Sequence, residues 1–555
     1  MGKSKLIYIV FALWIVTFYS CYDDKSTFAT DNIGEVVIDV SGTSPNIYVG
    51  YQEELSLTPT ISVGNNSNVD YLDYKWYLSR TSGNANPDYE LLSTEKELHA
   101  IISRPIDIEY YVLKLTVTDT ENNNLQYENR WYIHVQSSFI DGLLIADSKD
   151  GVSSDLSLIL NRTFTTNYNK DETIYRTILT NANGEAYNGL ISSLTYEVLG
   201  YPEMSSHTNQ VWAVTEDGDA CRFDCQDFSI TGNTRDESII TYKPGNLEFK
   251  SFFCASQMLF ANTTTGFYNL MRTSTNSFGW YDAIASNSKP NNNIIASNSS
   301  RNISYNHTIW YDKEQARFVS YTGIPAFGSA QLSYYQANSQ FDPNALTGKS
   351  AIAGIISEDE KIGTFLLKDD ATGQYTIYTL NQYKEQEGYW NDDWTEYTET
   401  SPEVPASAGN RYYIPNEGKT LLDNAISVFF FQNSYVLYVA TESGIYAITY
   451  GAGNNAVVQT APKYTAAGGE KITKAKLYQQ GHFTNDMYMT YGSEPYVQSL
   501  PWHNKALIVT TQSANSEGKV YVIPITQTGI GTLDPSQALS YAGFGKILDV
   551  ITIGY

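Results

Sequence analysis

One phrase recurs in the long C-terminal part of this chain: an apolar strand, a tight polar turn carrying glycine, then a second apolar strand. It occupies Gln210 to Phe223 around Asp217-Gly218, Gln257 to Leu270 around Thr265-Gly266, Tyr435 to Tyr450 around Ser443-Gly444, and Ala506 to Ile525 around Glu517-Gly518. Each is a β-hairpin by its turn residues. A long open sheet of such hairpins would leave exposed edges, whereas radial repetition hides them, so the pattern predicts a β-propeller over residues 137–555. The spacing is irregular and the loops are long, which at ~40 to 50 residues per blade brings the expected count to about seven. The last strand, Lys546 to Gly554, is expected to pair with Gly142 to Ala146 and close the ring. A stacked or open β-solenoid is the alternative.

The 45 tyrosines and the abundance of Thr, Ser, Asn and Gly favour strand and turn throughout. The fold class is therefore all-β, with helix limited to short stretches such as Ser329 to Gln336. At 555 residues the chain exceeds one ordinary domain. A net charge of −25 with no Lys/Arg cluster would repel a phosphate backbone, so nucleic acid is excluded as a main partner. Solubility accounts for the acidity. Beyond residue 20 no apolar run reaches the eighteen residues of a membrane span.

Residues 35–136 read differently. Val36 to Val40 opens a strand, Tyr51 to Ile61 gives another, and Ser41 to Asn46 between them carries turn chemistry. Tyr74 to Tyr77 would bury Trp76, Tyr110 to Asp119 alternates with period two, and Tyr127 to Val135 supplies a closing strand. Many short strands around a central Trp describe an immunoglobulin-like sandwich. Tyr74-x-Trp76 followed by Tyr111-x-Leu113-x-Leu115-x-Val117-Thr118-Asp119 resembles the PKD (polycystic kidney disease) domain, specifically the PKD-like module of Bacteroidota lipoproteins. Trp76, Tyr111 and Val117 read as packing residues. No Gly/Ser linker separates the sandwich from the propeller region, because Val135 runs almost directly into Gly142.

Residues 1–20 have the form of a signal peptide: Lys3 and Lys5, then an apolar run from Leu6 to Phe18. Ser20-Cys21 resembles a bacterial lipobox, and the resemblance implies lipidation of Cys21. Asp23 and Asp24 are similar to the acidic tag that sends Bacteroidota lipoproteins to the cell surface, and residues 21–34 serve as a tether. The alternative is a secreted protein whose first cysteine pairs in a disulfide.

The remaining cysteines are Cys221, Cys225 and Cys254. On one strand Cys221 and Cys225 would stand ~13 Å apart, beyond disulfide reach. Either one bridges to Cys254 or all three are buried thiols; the spacing fits no zinc pattern and reads as structural. The six histidines show no metal-ligand spacing, and no nucleophile elbow, P-loop or dinucleotide fingerprint occurs. No metal or cofactor is expected, and the chain is read as not an enzyme. The competing reading is a surface glycosidase or lyase in which Asp282, Asp312, Asp392, Asp393 and Glu396 approach the propeller's funnel. Asp147, Asp150 and Asp155, like Asp217 and Asp219, resemble a calcium loop faintly, and turn chemistry explains them more simply.

Loop aromatics are the better lead. Tyr389, Trp390, Asp392, Asp393, Trp394 and Tyr397 fall within nine residues that lack strand alternation. Sugars stack on such rings and peptides wedge side chains between them; the structural alternative is that the tryptophans plug a blade junction. The triplets at Trp280-Tyr281-Asp282 and Trp310-Tyr311-Asp312 read as structural repetition, and Pro501-Trp502-His503 is a weaker exposed candidate. The resemblance to PKD-like lipoproteins implies an accessory surface protein beside a SusC/SusD-type TonB-dependent importer. It would sit on the outer membrane through its lipid and bind an oligopeptide, or else an oligosaccharide. A purely structural subunit of the importer is the third reading.

Overall fold

Strand formation follows from runs such as Val-Leu-Tyr-Val-Ala and Leu-Ile-Val-Thr-Thr, whose β-branched and aromatic side chains suit a pleated surface buried on both sides. The computed structural model describes residues 34–50, 53–64, 70–84, 87–104, 109–136, 139, 141–165, 168, 171–197, 210–234, 248–255, 258–264, 267–274, 277–280, 288–297, 308–322, 331–357, 359, 361–384, 386–390, 393, 395, 397–480 and 500–554. They form two compact units, divided between Gln136 and Ser137. Cys21 and the leader lie outside the described residues, and among the described residues no helix is long and apolar enough to cross a membrane.

The first unit is an immunoglobulin-like sandwich. Five strands are hydrogen-bonded in the order Asn46–Gly50, Leu125–Gln136, Tyr111–Asp119, Leu72–Ser79, Tyr89–Ser93. The pairs Val36–Asp39 with Thr60–Val63, and Glu54–Leu57 with Leu98–Ile101, supply the opposing layer. Both layers feed one core, in which Trp76 lies beside Leu55, Leu98, Leu115 and Val117. Trp76 stacks on Trp131 with ring centroids 5.5 Å apart, and its indole N–H donates to the Glu95 carbonyl at 3.0 Å. The expected single strand from Tyr51 to Ile61 is instead two, Glu54–Leu57 and Thr60–Val63. Pro59 between them lacks the N–H that continued pairing requires. Asn46, expected in a turn, opens a strand parallel to Leu125–Gln136.

The second unit is a seven-bladed β-propeller. Its described residues form seven sheets of four or more strands, six of them consecutive in sequence. The exception is blade 1, where Gly142–Ser148, Ser153–Leu160 and Thr173–Tyr175 receive their first strand from the other end of the chain. Lys546–Ile553 pairs antiparallel with Gly142–Ser148, from Gly142 against Ile553 to Ser148 against Lys546, and closes the ring as the sequence leads one to expect. Blades 2 to 7 follow at residues 191–233, 249–280, 295–333, 349–413, 427–465 and 471–544. The first strands of consecutive blades touch one another around the ring and so surround its axis.

The core is divided among the interfaces between blades. Seven hydrophobic clusters each draw on two adjacent blades, including one that joins Leu143 and Ile145 of blade 1 to Ala506 and Ile508 of blade 7. Strands read as alternating therefore turn out buried on both faces. Along Gln210–Thr215, Val211 and Ala213 pack toward blade 1 while Trp212 and Val214 pack toward blade 3. All four recurring hairpins are the second and third strands of a blade, the pair most fully covered by neighbours. Two short helices occur among the described residues, α1 (Ile178–Asn183) and α2 (Asn416–Asp423). The helical expectation at Ser329 to Gln336 is corrected: Gln331–Ser333 is the outer strand of blade 4, paired with Ser320 to Thr322.

Candidate functional site

Blade 5 departs most from the plain four-stranded pattern. Its strands Lys349–Ile356, Ile362–Asp369, Tyr375–Asn381 and Ser407–Tyr413 pair in that order. Between the third and fourth the chain leaves the blade as a hairpin, Glu387–Trp390 against Tyr397–Ser401. At the opposite end of the same two strands lies an open cleft of about 780 Å³, whose lining includes Lys349, Asp369, Tyr375, Tyr378, Arg411 and Tyr413. Loop residues Phe341, Asp342, Ala345 and Leu346 and the start of α2 complete its walls.

The cleft combines rings with charge. Tyr375 donates its hydroxyl to Asp423 Oδ1 at 2.9 Å, which fixes the ring against the wall. Burial pushes the phenols of Tyr375 and Tyr378 up, so both remain neutral donors. Asp369 accepts from the backbone N–H of Thr372 at 2.9 Å, from its hydroxyl at 2.8 Å and from Lys349 Nζ at 3.1 Å. These bonds hold its carboxyl down at about 2, in the ionised form. Arg411 lies over the Tyr413 ring, 5.3 Å from the centroid, and among the described residues no carboxylate pairs with its guanidinium. Tyr413 itself is 44% exposed. A planar fork of donors backed by an aromatic face is suited to a carboxylate or carbonyl ligand.

The aromatic segment singled out from sequence lies at the other end of the blade. Tyr389 and Trp390 are in the hairpin's first strand, paired with Thr398 and Tyr397. Thus the segment read as lacking strand character is partly strand, because its flanks pair with each other outside the blade. Tyr397 is 37% exposed and Asp393 is exposed; Asp392 and Trp394 lie outside the described residues. From Asn381, beside the hairpin, to Tyr375, in the cleft, is six residues of strand, or ~20 Å. The two features are therefore separate places on one blade.

The other sequence candidates divide clearly. Trp310 and Tyr311 are fully buried, with the Trp310 indole donating to Ser288 Oγ at 2.9 Å and the Tyr311 hydroxyl to the Leu346 carbonyl at 2.6 Å. Asp312 accepts from Gln315 N at 3.0 Å and caps a turn. Tyr281, Asp282 and Glu396 lie outside the described residues. Trp502, read as exposed, is half-buried against the core between blades 7 and 1. Asp147, Asp150 and Asp155 do not converge. Asp147 accepts from Gly545 N at 2.7 Å, Asp150 from Val152 N at 2.9 Å and Ser153 N at 2.8 Å, and Asp155 from Leu179 N at 2.8 Å and Thr180 Oγ1 at 2.6 Å. Cys221 and Cys225 are both buried in the core between blades 1 and 2.

Sequence reading missed Arg411 and Tyr413, whose partners in the cleft come from residues 341 to 417. It also missed an axial trio, Lys474, Lys476 and Asp549. A signal for the trio existed: Asp549 is the one acid within the apolar strand Lys-Ile-Leu-Asp-Val-Ile-Thr-Ile.

The PKD-like family model matches residues 21–190, which takes in the sandwich and runs on through α1 and four strands of blade 1, the last being Tyr187–Asn188. No curated protein matches the chain significantly. Among solved structures, a quinoprotein alcohol dehydrogenase-like protein from Bacteroides thetaiotaomicron is 13% identical, covering 94% of this chain and 99% of its own, with a TM-score of 0.36. A putative 6-phosphogluconolactonase from Bacteroides uniformis is 10% identical over 75% of this chain and 100% of its own, with a TM-score of 0.35. The β-propeller domain of Cps50 (Swd1) from Myceliophthora thermophila is 8% identical over 68% of this chain and 94% of its own, with a TM-score of 0.32. These are loose likenesses, and the propeller assignment rests on the strand pairing and the seven interblade cores. The chain thus carries a PKD-like family domain at residues 21–190 and a seven-bladed propeller whose first blade that domain already enters.

Proposed function

We propose that this protein is a non-catalytic lipoprotein of the outer-membrane surface, anchored through Cys21, that holds an oligomeric nutrient for a SusC/SusD-type TonB-dependent importer. The observation that carries the binding half is the blade 5 cleft, about 780 Å³ and open to solvent, where Tyr375, Tyr378 and Tyr413 flank Arg411 and the Lys349–Asp369 pair. A peptide offers amides, a carboxylate and charged side chains to such a lining, whereas a neutral glycan offers the guanidinium only uncharged oxygen acceptors; an oligopeptide is therefore favoured. The non-catalytic reading draws support from Asp369, which is held ionised and so is unsuited to general-acid work at neutral pH. The leader, the Ser20-Cys21 pair and the acidic Asp23-Asp24 support the surface location.

Calorimetric titration of the mature protein with four- to six-residue peptides and with neutral oligosaccharides tests the reading. Saturable peptide binding that falls about tenfold in Arg411→Gln is expected, since one charge-assisted contact is removed. Release of cleaved products would establish the hydrolase or lyase reading instead. Pull-down from solubilised outer membranes should recover an importer, and its absence would remove the transport half of the proposal.

A further inference from the structure

Carboxylates set deep in the propeller are matched within the fold. Asp549 Oδ1, on the closing strand of blade 1, accepts from Lys474 Nζ at 2.6 Å and lies 3.5 Å from Lys476 Nζ, and Glu470 Oε1 accepts from Lys519 Nζ at 2.7 Å. The blade 5 cleft differs. Lys349 and Asp369 pair across its first two strands at 3.1 Å, but Arg411, Asp342 and Glu417 line the same cleft without an ion pair among the described residues. The stretches that supply the lining, 341–349, 369–378 and 411–417, are described throughout, so no undescribed side chain interrupts them.

Arg411 is held from behind. Its backbone N–H donates to Gln340 Oε1 at 3.1 Å, and Asn338 Nδ2 donates to the Ala408 and Gly409 carbonyls at 3.0 and 2.7 Å. The loop before the cleft is thus tied to the fourth strand of the blade, while the Arg411 side chain stays half-buried over the Tyr413 ring. Across the sheet Arg411 is paired with Tyr378, whose ring meets Phe341 edge to face at 5.0 Å; both rings are buried and floor the cleft. Burial raises the Tyr378 phenol and the charges of Lys349 and Arg411 act against it, so its hydroxyl stands in the field of both cations. Asp342, fixed by the Asn344 N–H at 2.9 Å, and Glu417, in the first turn of α2, are exposed instead. The cleft therefore sets a cation by its floor and two anions nearer the solvent.

We propose that the cleft selects peptides carrying charges of both signs, with a carboxylate seated on Arg411 and a lysine or arginine side chain reaching Asp342 and Glu417. This selection rests on the cleft being a peptide site at all. With Lys349 and Asp369 cancelling, the lining carries one positive and two negative charges, so a bare carboxylate is drawn to Arg411 but repelled at the mouth. A cation on the same ligand relieves that repulsion. The planar guanidinium can take the carboxylate through two parallel N–H···O bonds, whereas the exposed acids make only screened contacts, so the carboxylate contact is the stronger. The carboxylate belongs either to the end of the chain or to an Asp or Glu side chain, which share this chemistry.

The test is calorimetric titration of the full mature chain with four N-acetylated tetrapeptides: Ala-Lys-Ala-Ala, its C-terminal amide, Ala-Gln-Ala-Ala, and the C-terminal amide of Ala-Lys-Ala-Glu. The first should bind best, with affinity about tenfold lower for its amide and about threefold lower for the Gln peptide. Arg411→Gln should remove the difference between acid and amide, and the double variant Asp342→Asn, Glu417→Gln the difference between the Lys and Gln peptides. Circular dichroism melts check that each variant folds, and the wild-type comparison decides even where one does not. Affinity regained by the Glu-ended amide assigns a side-chain carboxylate, whereas affinity that stays low assigns the chain end. Equal wild-type affinity for acid and amide, or for the Lys and Gln peptides, overturns the proposal while peptide binding itself stands. Binding of none of the four by the folded wild type overturns both.

Discussion

The sandwich and the propeller use similar strands to opposite ends. In the sandwich, Leu113, Leu115 and Val117 of one strand enter a single core while Lys114 and Thr118 stay half-buried on the other face. In the propeller, Val211 and Ala213 enter one core and Trp212 and Val214 enter the next, so one strand serves two interfaces. A two-layered domain asks one apolar face of each strand, whereas a ring asks two. The ring must also supply two faces where the chain begins and ends, and the strand Lys546–Ile553 meets that requirement.

The largest effects should come from breaking each kind of core. Trp76→Ala should cost about 3–5 kcal/mol, as for other buried aromatic truncations, and abolish the calorimetric transition of the sandwich while leaving that of the propeller. Equal shifts in both transitions would show that the two cores are not independent. Asp549→Ala leaves two ammonium groups without their carboxylate and should destabilise the propeller by about 3–5 kcal/mol, read from urea unfolding at pH 7.

The acid side of the same interaction has a definite sign. Burial alone would raise the Asp549 carboxyl, but Lys476 and Lys474 overcome it and hold it down from 3.8 to about 2. A depressed carboxyl stabilises fully above its unfolded value and ceases to do so as pH falls through its folded one. The stability gap between wild type and Asp549→Asn should therefore be full at pH 5 and shrink between about 3.8 and about 2. A gap that persists unchanged at pH 2 would mean that charge is not its source.

Smaller effects sharpen the contrast further. A Cβ at Gly545 would stand 2.1 Å from the Ser148 carbonyl at the ring closure, so Gly545→Ala should cost about 1–3 kcal/mol. Gly42 in the sandwich has nothing within 4 Å of such a Cβ, and Gly42→Ala should stay within about 0.5 kcal/mol of wild type in the same melts. Arg411→Gln should be nearly as silent for stability, with its effect confined to ligand affinity.

Much of the architecture is legible in the chain because it is local. The turn at Asp217-Gly218 and its counterparts mark the central strands of blades, and Trp76 marks the sandwich core. What escapes is non-local or breaks the repeat. The hairpin at 387–401 hides because its pairing is made outside the blade, and the cleft hides because Lys349 and Arg411 are 62 residues apart in sequence. Asp312 reads as a funnel acid but caps a turn, whereas Asp549, which does face the axis, is hidden within an apolar strand.

By itself the sequence determined the strand-rich composition, the recurring hairpins, the boundary between two domains and the partner of the last strand, since all of these follow from turn residues and apolar periodicity. Only the tertiary structure decided which faces meet, which acids reach the axis and where a cleft opens. Those depend on how blades separated by hundreds of residues close upon one another, and a single strand carries no record of its neighbours' charges.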